Sequence, residues 1–279
     1  MNIRNTIVII LDEARRKIEH FLPTFVKNKL KPFYRSITGT ISTGNKKVSV
    51  QDMEAKFIVS NPKTLNMKRV GDEEEIITDI AKESNVNDVF YDVGSNVGTY
   101  SFILGEKFKK IIAFEPHPKN AERYRENIKI NNANADLYEV ALSDDEGSIE
   151  LLMREADVGS THNRISTDSI SDRDNNEKMQ STASVDMTTL DKIISDKKLE
   201  NPDIIKIDIQ GAEYDALRGM KETLRSSEVR IIYIESHPEY LPKFGATVDE
   251  IVGLLEEYGF STYKLNDDVD DVYIKAVRN

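Results

Sequence analysis

The stretch VFYDVGSNVGTYS, residues 89–101, runs apolar as far as Asp92, turns through Gly94 and Gly98, and continues into a segment with helical character. This is the strand, turn and helix order of an open α/β sheet, in which ligands bind beyond the carboxyl ends of the strands. Gly94 and Gly98 remove side chains where a backbone must turn sharply and where a ligand must come close. The spacing fails the dinucleotide fingerprint G-x-G-x-x-G, because Asn96 stands where the middle glycine belongs. The turn is therefore not built for a pyrophosphate.

Working outward, the helical run EEEIITDIAKE precedes the stretch. After it come the strand-like runs KIIAFE, DLYEVAL, DIIKIDI, RIIYIES, FSTYKL and DVYIKAV, with helical segments between most of them. Strands alternating with helices predict an α/β domain with a mostly parallel, seven-stranded, Rossmann-like sheet covered on both faces. Between Leu265 and Val272 there is no room for a helix, so the last two strands are expected as a C-terminal antiparallel hairpin closing the sheet. Helix starts are marked by Pro118 and by the pair Thr247 and Glu250, a capping-box pattern whose helix ends near Gly259.

Two parts are expected: an N-terminal extension over residues 1–71 and the sheet domain over residues 72–279. The extension holds a helical region in which Ile7, Ile10, Leu11, Ala14, Ile18 and Phe21 recur at helical spacing beside Arg15, Arg16 and Lys17, followed by a hairpin of KVSVQ and AKFIVS turning at Asp52. Such a helix packs on its own domain or on a second subunit as a homodimer, or lies on a membrane surface. Within the sheet domain, residues 154–182 form a long polar loop flanked by the strands SIELLM and TASVDM, read either as an acceptor-binding lid or as a solvated loop.

With 279 residues and 39% hydrophobic content the chain can bury a full core. It has no cysteine, which excludes a thiol nucleophile, a thiolate metal site and a disulfide framework. A net charge of -11 without a lysine/arginine cluster argues against nucleic acid as a partner. The apolar run Ile7 to Leu11 is too short for a signal peptide or a membrane span. A cytoplasmic protein is expected, with contact at the inner face of the membrane as the alternative offered by the N-terminal helix.

At the end of the second sheet strand, in FEPHP, Glu115 has two coplanar oxygens that can accept hydrogen bonds from both hydroxyls of an adenosine ribose. The plainer reading is that it caps the dipole of the following helix. In ALSDDEG, Asp144 or Asp145 is placed for an adenine amino group, or forms an acidic turn.

The blocks DVGSNVGTYS, AFEPHPKNAERYRENIKINN, VALSDDEG, TTLDKII, IIKIDIQGAEYDALRGM and IYIESHPE occur in this order, and together they resemble the FkbM family of S-adenosylmethionine-dependent methyltransferases. The resemblance covers roughly residues 70–265. A sheet ending in a reversed hairpin strand agrees with it. It implies the class I methyltransferase fold, with S-adenosylmethionine at Asp92, Gly94, Asn96 and Gly98 and Glu115 on the ribose; with Ser95 of the same turn and Asp144 near the adenine these make up the expected cofactor site. It also implies an acceptor oxygen on a sugar, glycan, polyketide or similar polar metabolite. The block that the family writes D-V-E-G-A-E reads D-I-Q-G-A-E here, with an amide at Gln210. The alternatives are a nicotinamide-dependent oxidoreductase and a non-catalytic adenosine-binding or assembly protein.

Methyl transfer from a sulfonium is an in-line displacement, so the protein must hold the acceptor oxygen in line and help remove its proton. The candidates at the ligand edge are Asp208, Glu213, Glu235, His237 and His162. His237, as a neutral imidazole, is the expected base. In a second reading Asp208, Glu235 and His237 bind a divalent cation that acidifies the hydroxyl. His162, Asn163 and Arg164 in the loop are expected near the substrate, Arg164 suiting the carboxylate of a uronic acid or a phosphate.

Overall fold

The computed structural model describes residues 44–59, 73–154, 164–165, 179–266 and 271–279. The predicted helix of residues 1–35, with His20, lies outside them. Strands β1 (Gly44–Val50) and β2 (Met53–Val59) form an antiparallel hairpin. After α1 (Glu74–Glu83) come β3 (Val89–Val93), α2 (Thr99–Ile103), β4 (Lys110–Phe114), α3 (Pro118–Asn131) and β5 (Ala135–Tyr138). The chain continues through β6 (Ala141–Leu142), β7 (Gly147–Arg154), β8 (Arg164–Ile165) and β9 (Met179–Thr188) to α4 (Leu190–Lys197) and β10 (Ile204–Ile207). It ends with α5 (Glu213–Arg218), α6 (Lys221–Arg225), β11 (Ile231–Ser236), α7 (Val248–Glu257), β12 (Phe260–Lys264) and β13 (Val272–Arg278).

The expected seven-stranded sheet is present, in the order β12-β13-β11-β10-β3-β4-β5. Strands β11, β10, β3, β4 and β5 pair in parallel, and β13 is antiparallel to both of its neighbours. The hairpin therefore does not simply add to the edge: its second strand enters between β12 and β11. Burial explains the placement, since β13 alternates Val272, Ile274 and Ala276 inward, whereas the edge strand β12 buries only Phe260.

Alternation along each strand divides the core between the two sheet faces. Val89, Tyr91 and Val93 share one cluster with Ile205, Ile207, Ile232 and Ile234, under the helices α4 to α7. Phe90 shares the other with Ile111, Ile204, Ile231 and Tyr233, and this cluster also contains Val48, Val50, Phe57 and Val59 of the first hairpin. The hairpin is thus packed into the domain core, with Phe57 edge-on to Phe102 at 6.1 Å.

The predicted strand DLYEVAL breaks in two. Residues 135–138 join the main sheet, while Ala141 and Leu142 pair with β9 in a separate four-stranded sheet, β6-β9-β7-β8. The flanking strands SIELLM and TASVDM do pair, as β7 and β9. This second sheet stands beside the carboxyl ends of the parallel strands. The capping box holds, with Thr247 Oγ1 accepting from Glu250 N (3.3 Å) and donating to Glu250 Oε2 (2.8 Å); at the start of α3, just before Pro118, His117 Nδ1 accepts from Asn120 N (3.3 Å).

Candidate active site

The ends of β3, β4 and β10 surround a half-open cleft. Its floor is the turn after β3, where Gly94 and Ser95 both donate to the carbonyl of Phe114 and Gly98 donates to that of Ser95. Gly94 has φ +78, and a Cβ there would lie 1.9 Å from the carbonyl oxygen of Asp208, so this glycine lets the turn pack on the end of β10. Gly98 serves the protein itself. With φ +92 it starts α2, and a Cβ on it would meet the Phe102 ring at 2.1 Å. It is not among the residues that line the cleft.

Asp92 and Ser95 are buried below the turn. Asp92 Oδ2 accepts from Ser101 Oγ (2.6 Å) and Ser101 N (3.2 Å), tying strand to helix, and burial raises its pKa against the pull of Lys206 and these hydrogen bonds. The residues that line the cleft include Gly94, Asn96, Glu115, Asp208 and Gln210, with an apolar side to which Pro116, Val140, Leu142 and Leu151 contribute. Glu115 accepts from Asn96 N (2.8 Å), His117 N (2.9 Å) and Asn120 Nδ2 (3.5 Å). Burial pushes its pKa up to about 7, although the two backbone N–H groups favour the carboxylate. Asp144 is elsewhere: it pairs with Arg218 at 2.9 Å and is absent from the wall, which apolar residues occupy on that side.

Beyond Asp208 the cleft meets a charged cluster. In register, Lys206 of β10 lies beside Tyr233 of β11 and Asp92 continues the row, so Asp208 and Glu235 follow on the same face one pleat further. Lys206 Nζ lies 3.2 Å from Asp208 Oδ2 and 4.6 Å above the Tyr100 ring. Its burial opposes the charge, but Asp208, Asp92, Glu235 and Glu73 together raise its pKa. His237 follows β11 with its Nδ1 3.0 Å from Glu213 Oε1, an oxygen that also accepts from Gly211 N (3.0 Å). Its Nε2 faces Asp271 Oδ1 (3.6 Å), Glu235 Oε1 (3.7 Å) and Asp208 Oδ1 (3.8 Å). Ligand atoms of Asp208, Glu235 and His237 all lie within 4.8 Å of one another, an arrangement able to hold a metal ion.

The Gln210 amide, at a backbone φ of 57, bridges this cluster, 3.2 Å from Asp208 Oδ1 and 2.8 Å from His237 Nε2. Burial alone would make His237 less basic, but hydrogen bonds with Glu213 and Glu235 and the charge of Asp208 outweigh it and push its pKa up to about 10. The acids around the ring therefore favour its protonated form while no cation is bound. The cause is spatial: its acidic neighbours come from three separate segments of the chain.

Asp208, Glu213, Glu235 and His237 are therefore brought together, and Glu115 joins the cleft with Gly94 and Asn96. His162 and Asn163 lie outside the described residues; Arg164 is in β8, which pairs with β7. Lys206, Asp271 and the bridging role of Gln210 were missed. Lys206 had a signal, a single charge inside the apolar run IIKI; Asp271 had none, being 34 residues beyond His237.

A parallel sheet with one reversed strand, a glycine turn after its central strand and a wall carboxylate after the next define a class I methyltransferase of Rossmann-like fold. The sequence agrees over most of its length. Residues 92–262 match the methyltransferase FkbM domain, and the chain belongs to that family. It is 27% identical over 226 residues to the hexuronic acid methyltransferase AglP of Haloferax volcanii, covering 80% of this chain and 85% of that one. With the 2-O-methyltransferase NoeI of Sinorhizobium fredii it shares 32% over 177 residues, 61% of this chain and 72% of that one. The crystal structure of a methyltransferase FkbM from Methylobacillus flagellatus KT is similar with a TM-score of 0.47 and 13% identity, over 69% of this chain and 44% of that one.

Proposed function

We propose that the protein is an S-adenosylmethionine-dependent O-methyltransferase whose acceptor is a hydroxyl of a sugar, glycan or similar polar metabolite. The observation that carries this reading is the junction of two unlike environments: a cleft with a buried carboxylate and an apolar side, opening at Asp208 onto an acid–histidine cluster.

The cleft suits the donor by its chemistry. Pro116, Val140, Leu142 and Leu151 offer apolar contact to a purine, Glu115 offers oxygens to the ribose hydroxyls, and Gly94 and Asn96 leave backbone exposed to the amino-acid part. When bound, S-adenosylmethionine supplies an electrophilic methyl group on a sulfonium. The protein's own work is to orient the acceptor oxygen and receive its proton. Asp208 and Glu235 are the carboxylates for an acceptor hydroxyl, Lys206 holds Asp208 in place, and Glu213 fixes the His237 ring.

The charge of the cluster chooses between acceptors. Asp208, Glu213, Glu235 and Asp271 all surround His237, and Lys206 is engaged with Asp208. A uronic carboxylate at this point would face like charges, whereas a neutral hydroxyl would donate to them. Methylation at a hydroxyl is therefore favoured over ester formation. The names of the two relatives, one acting on a hexuronic acid and one a 2-O-methyltransferase, support a sugar acceptor. Incubation with isotopically labelled S-adenosylmethionine and a panel of neutral and acidic glycosides tests this. Label in a sugar together with release of S-adenosylhomocysteine is expected; donor binding without turnover would leave an adenosine-binding protein instead.

A further inference from the structure

We propose that Asp208, Glu235 and His237 bind one octahedral divalent cation, Mn²⁺ or Mg²⁺, at the acceptor end of the cleft. The role given to this ion rests on the methyl-transfer reading; the site itself rests on geometry. Three observations carry it. The first is the donor set, two carboxylates and one imidazole on the adjacent ends of β10 and β11, with His237 Nε2 3.8 Å from Asp208 Oδ1 and 3.7 Å from Glu235 Oε1. Bonds of about 2.1 Å at right angles need neighbouring ligands about 3 Å apart, so side-chain shifts of less than about 1 Å would close the set. Oxygen ligands with a single imidazole suit Mn²⁺ and Mg²⁺ better than softer metals.

The second observation is the support behind the histidine. Glu213 is fully buried and its Oε1 faces His237 Nδ1 at 3.0 Å while also accepting from Gly211 N. A carboxylate held behind one ring nitrogen directs the other at a metal and raises its basicity. The third is Gln210, whose amide nitrogen stands against two of the three ligand atoms, Asp208 Oδ1 and His237 Nε2. A cation between these two atoms would take the place of the amide and of the proton on Nε2, which is released to solvent. Because Gln210 also lines the cleft, its amide can swing outward when a cation takes that place. The ion would then share Asp208 with the cleft wall, draw an acceptor hydroxyl into its shell and lower that hydroxyl's pKa.

Mn²⁺ titration of the chelator-treated full chain, followed by electron paramagnetic resonance, tests the site without any turnover. Saturable binding of one Mn²⁺ per chain is expected, displaced by Mg²⁺, with spin-echo modulation from a bound imidazole nitrogen. Asp208→Asn and Glu235→Gln should each weaken binding at least tenfold, with circular dichroism confirming their fold. No saturable binding to the wild-type chain would overturn the proposal, as would binding without the nitrogen signal or binding indifferent to both substitutions. S-adenosylmethionine affinity, measured by calorimetry on the same samples, keeps the two readings apart. Donor binding without Mn²⁺ binding removes the cation site and leaves the methyltransferase; Mn²⁺ binding without donor binding does the reverse.

Discussion

Glu115 lies on the cleft wall with its pKa raised to about 7 by burial, while two backbone N–H groups hold its oxygens in place. If those oxygens receive the ribose hydroxyls, the donor binds the ionised form. Below pH 7 the dissociation constant should then fall roughly tenfold per pH unit, with proton release on binding, and level off above it. Calorimetry in buffers of different ionisation enthalpy checks this, and Glu115→Gln should abolish both the slope and the proton release. The same raised pKa sets a sign for folding: the contribution of Glu115 is fully present below its ordinary value near 4.5 and is lost as the pH rises through about 7. Gly98 gives a different residue-scale test. Its left-handed φ and the Phe102 ring in the path of a Cβ mean that Gly98→Ala should cost stability, roughly 1–3 kcal/mol for the backbone alone, in denaturant unfolding. Unchanged stability with weakened donor binding would return the glycine to the ligand site. Both positions were legible as special in the sequence, but what each touches was not, because the Phe102 ring and the Asp208 carbonyl reach the turn only through packing.

At the scale of elements, the β1–β2 hairpin reads in the sequence as part of an extension, yet Phe57 is 1% exposed and sits in one cluster with Phe102, Tyr124 and Tyr233. Phe57→Ala should therefore destabilise the whole domain by about 3–5 kcal/mol in a single unfolding transition. A cost below about 1 kcal/mol, or a separate early transition, would mark the hairpin as an independent appendage. Strand identity was legible because apolar runs such as IIKI and IIYIES are long enough to be buried on both faces, and the parallel order follows from the helices between them. The position of β13 was not, since adjacency in sequence makes a hairpin but does not say which of its strands faces the next. The break at Glu139 and Val140, which sends Ala141 and Leu142 to a second sheet, also left no periodic signal in so short a run. Candidate site residues were legible where they follow a strand, as Glu115, Asp208, Glu235 and His237 do. The raised basicity of His237 was not, because burial opposes it and it arises mainly from Glu213 and Asp208, 24 and 29 residues away in sequence, with Glu235 beside it.

For the whole molecule, a net charge of -11 and an acid-lined acceptor end set the expected partner as a neutral polar hydroxyl compound rather than a polyanion. Among the described residues no helix is long and apolar enough to cross a membrane. Strand β7 contributes Leu151 to the cleft wall, so exchanging residues 155–178, which connect β7 to β9, for the segment of another family member should change acceptor preference while leaving donor affinity within about threefold, or 0.7 kcal/mol. Donor calorimetry and acceptor competition on the exchanged protein check it. The most direct test of methyl transfer to a hydroxyl is the chemistry of the bond made. The purified protein is supplied with a deuterated-methyl donor and with neutral and hexuronate-containing glycans side by side, and the products are treated with mild alkali before mass spectrometry. An alkali-stable label on a ring hydroxyl, with S-adenosylhomocysteine formed in equal amount, is the predicted result; an alkali-labile label on the carboxylate, or no transfer at all, would contradict it.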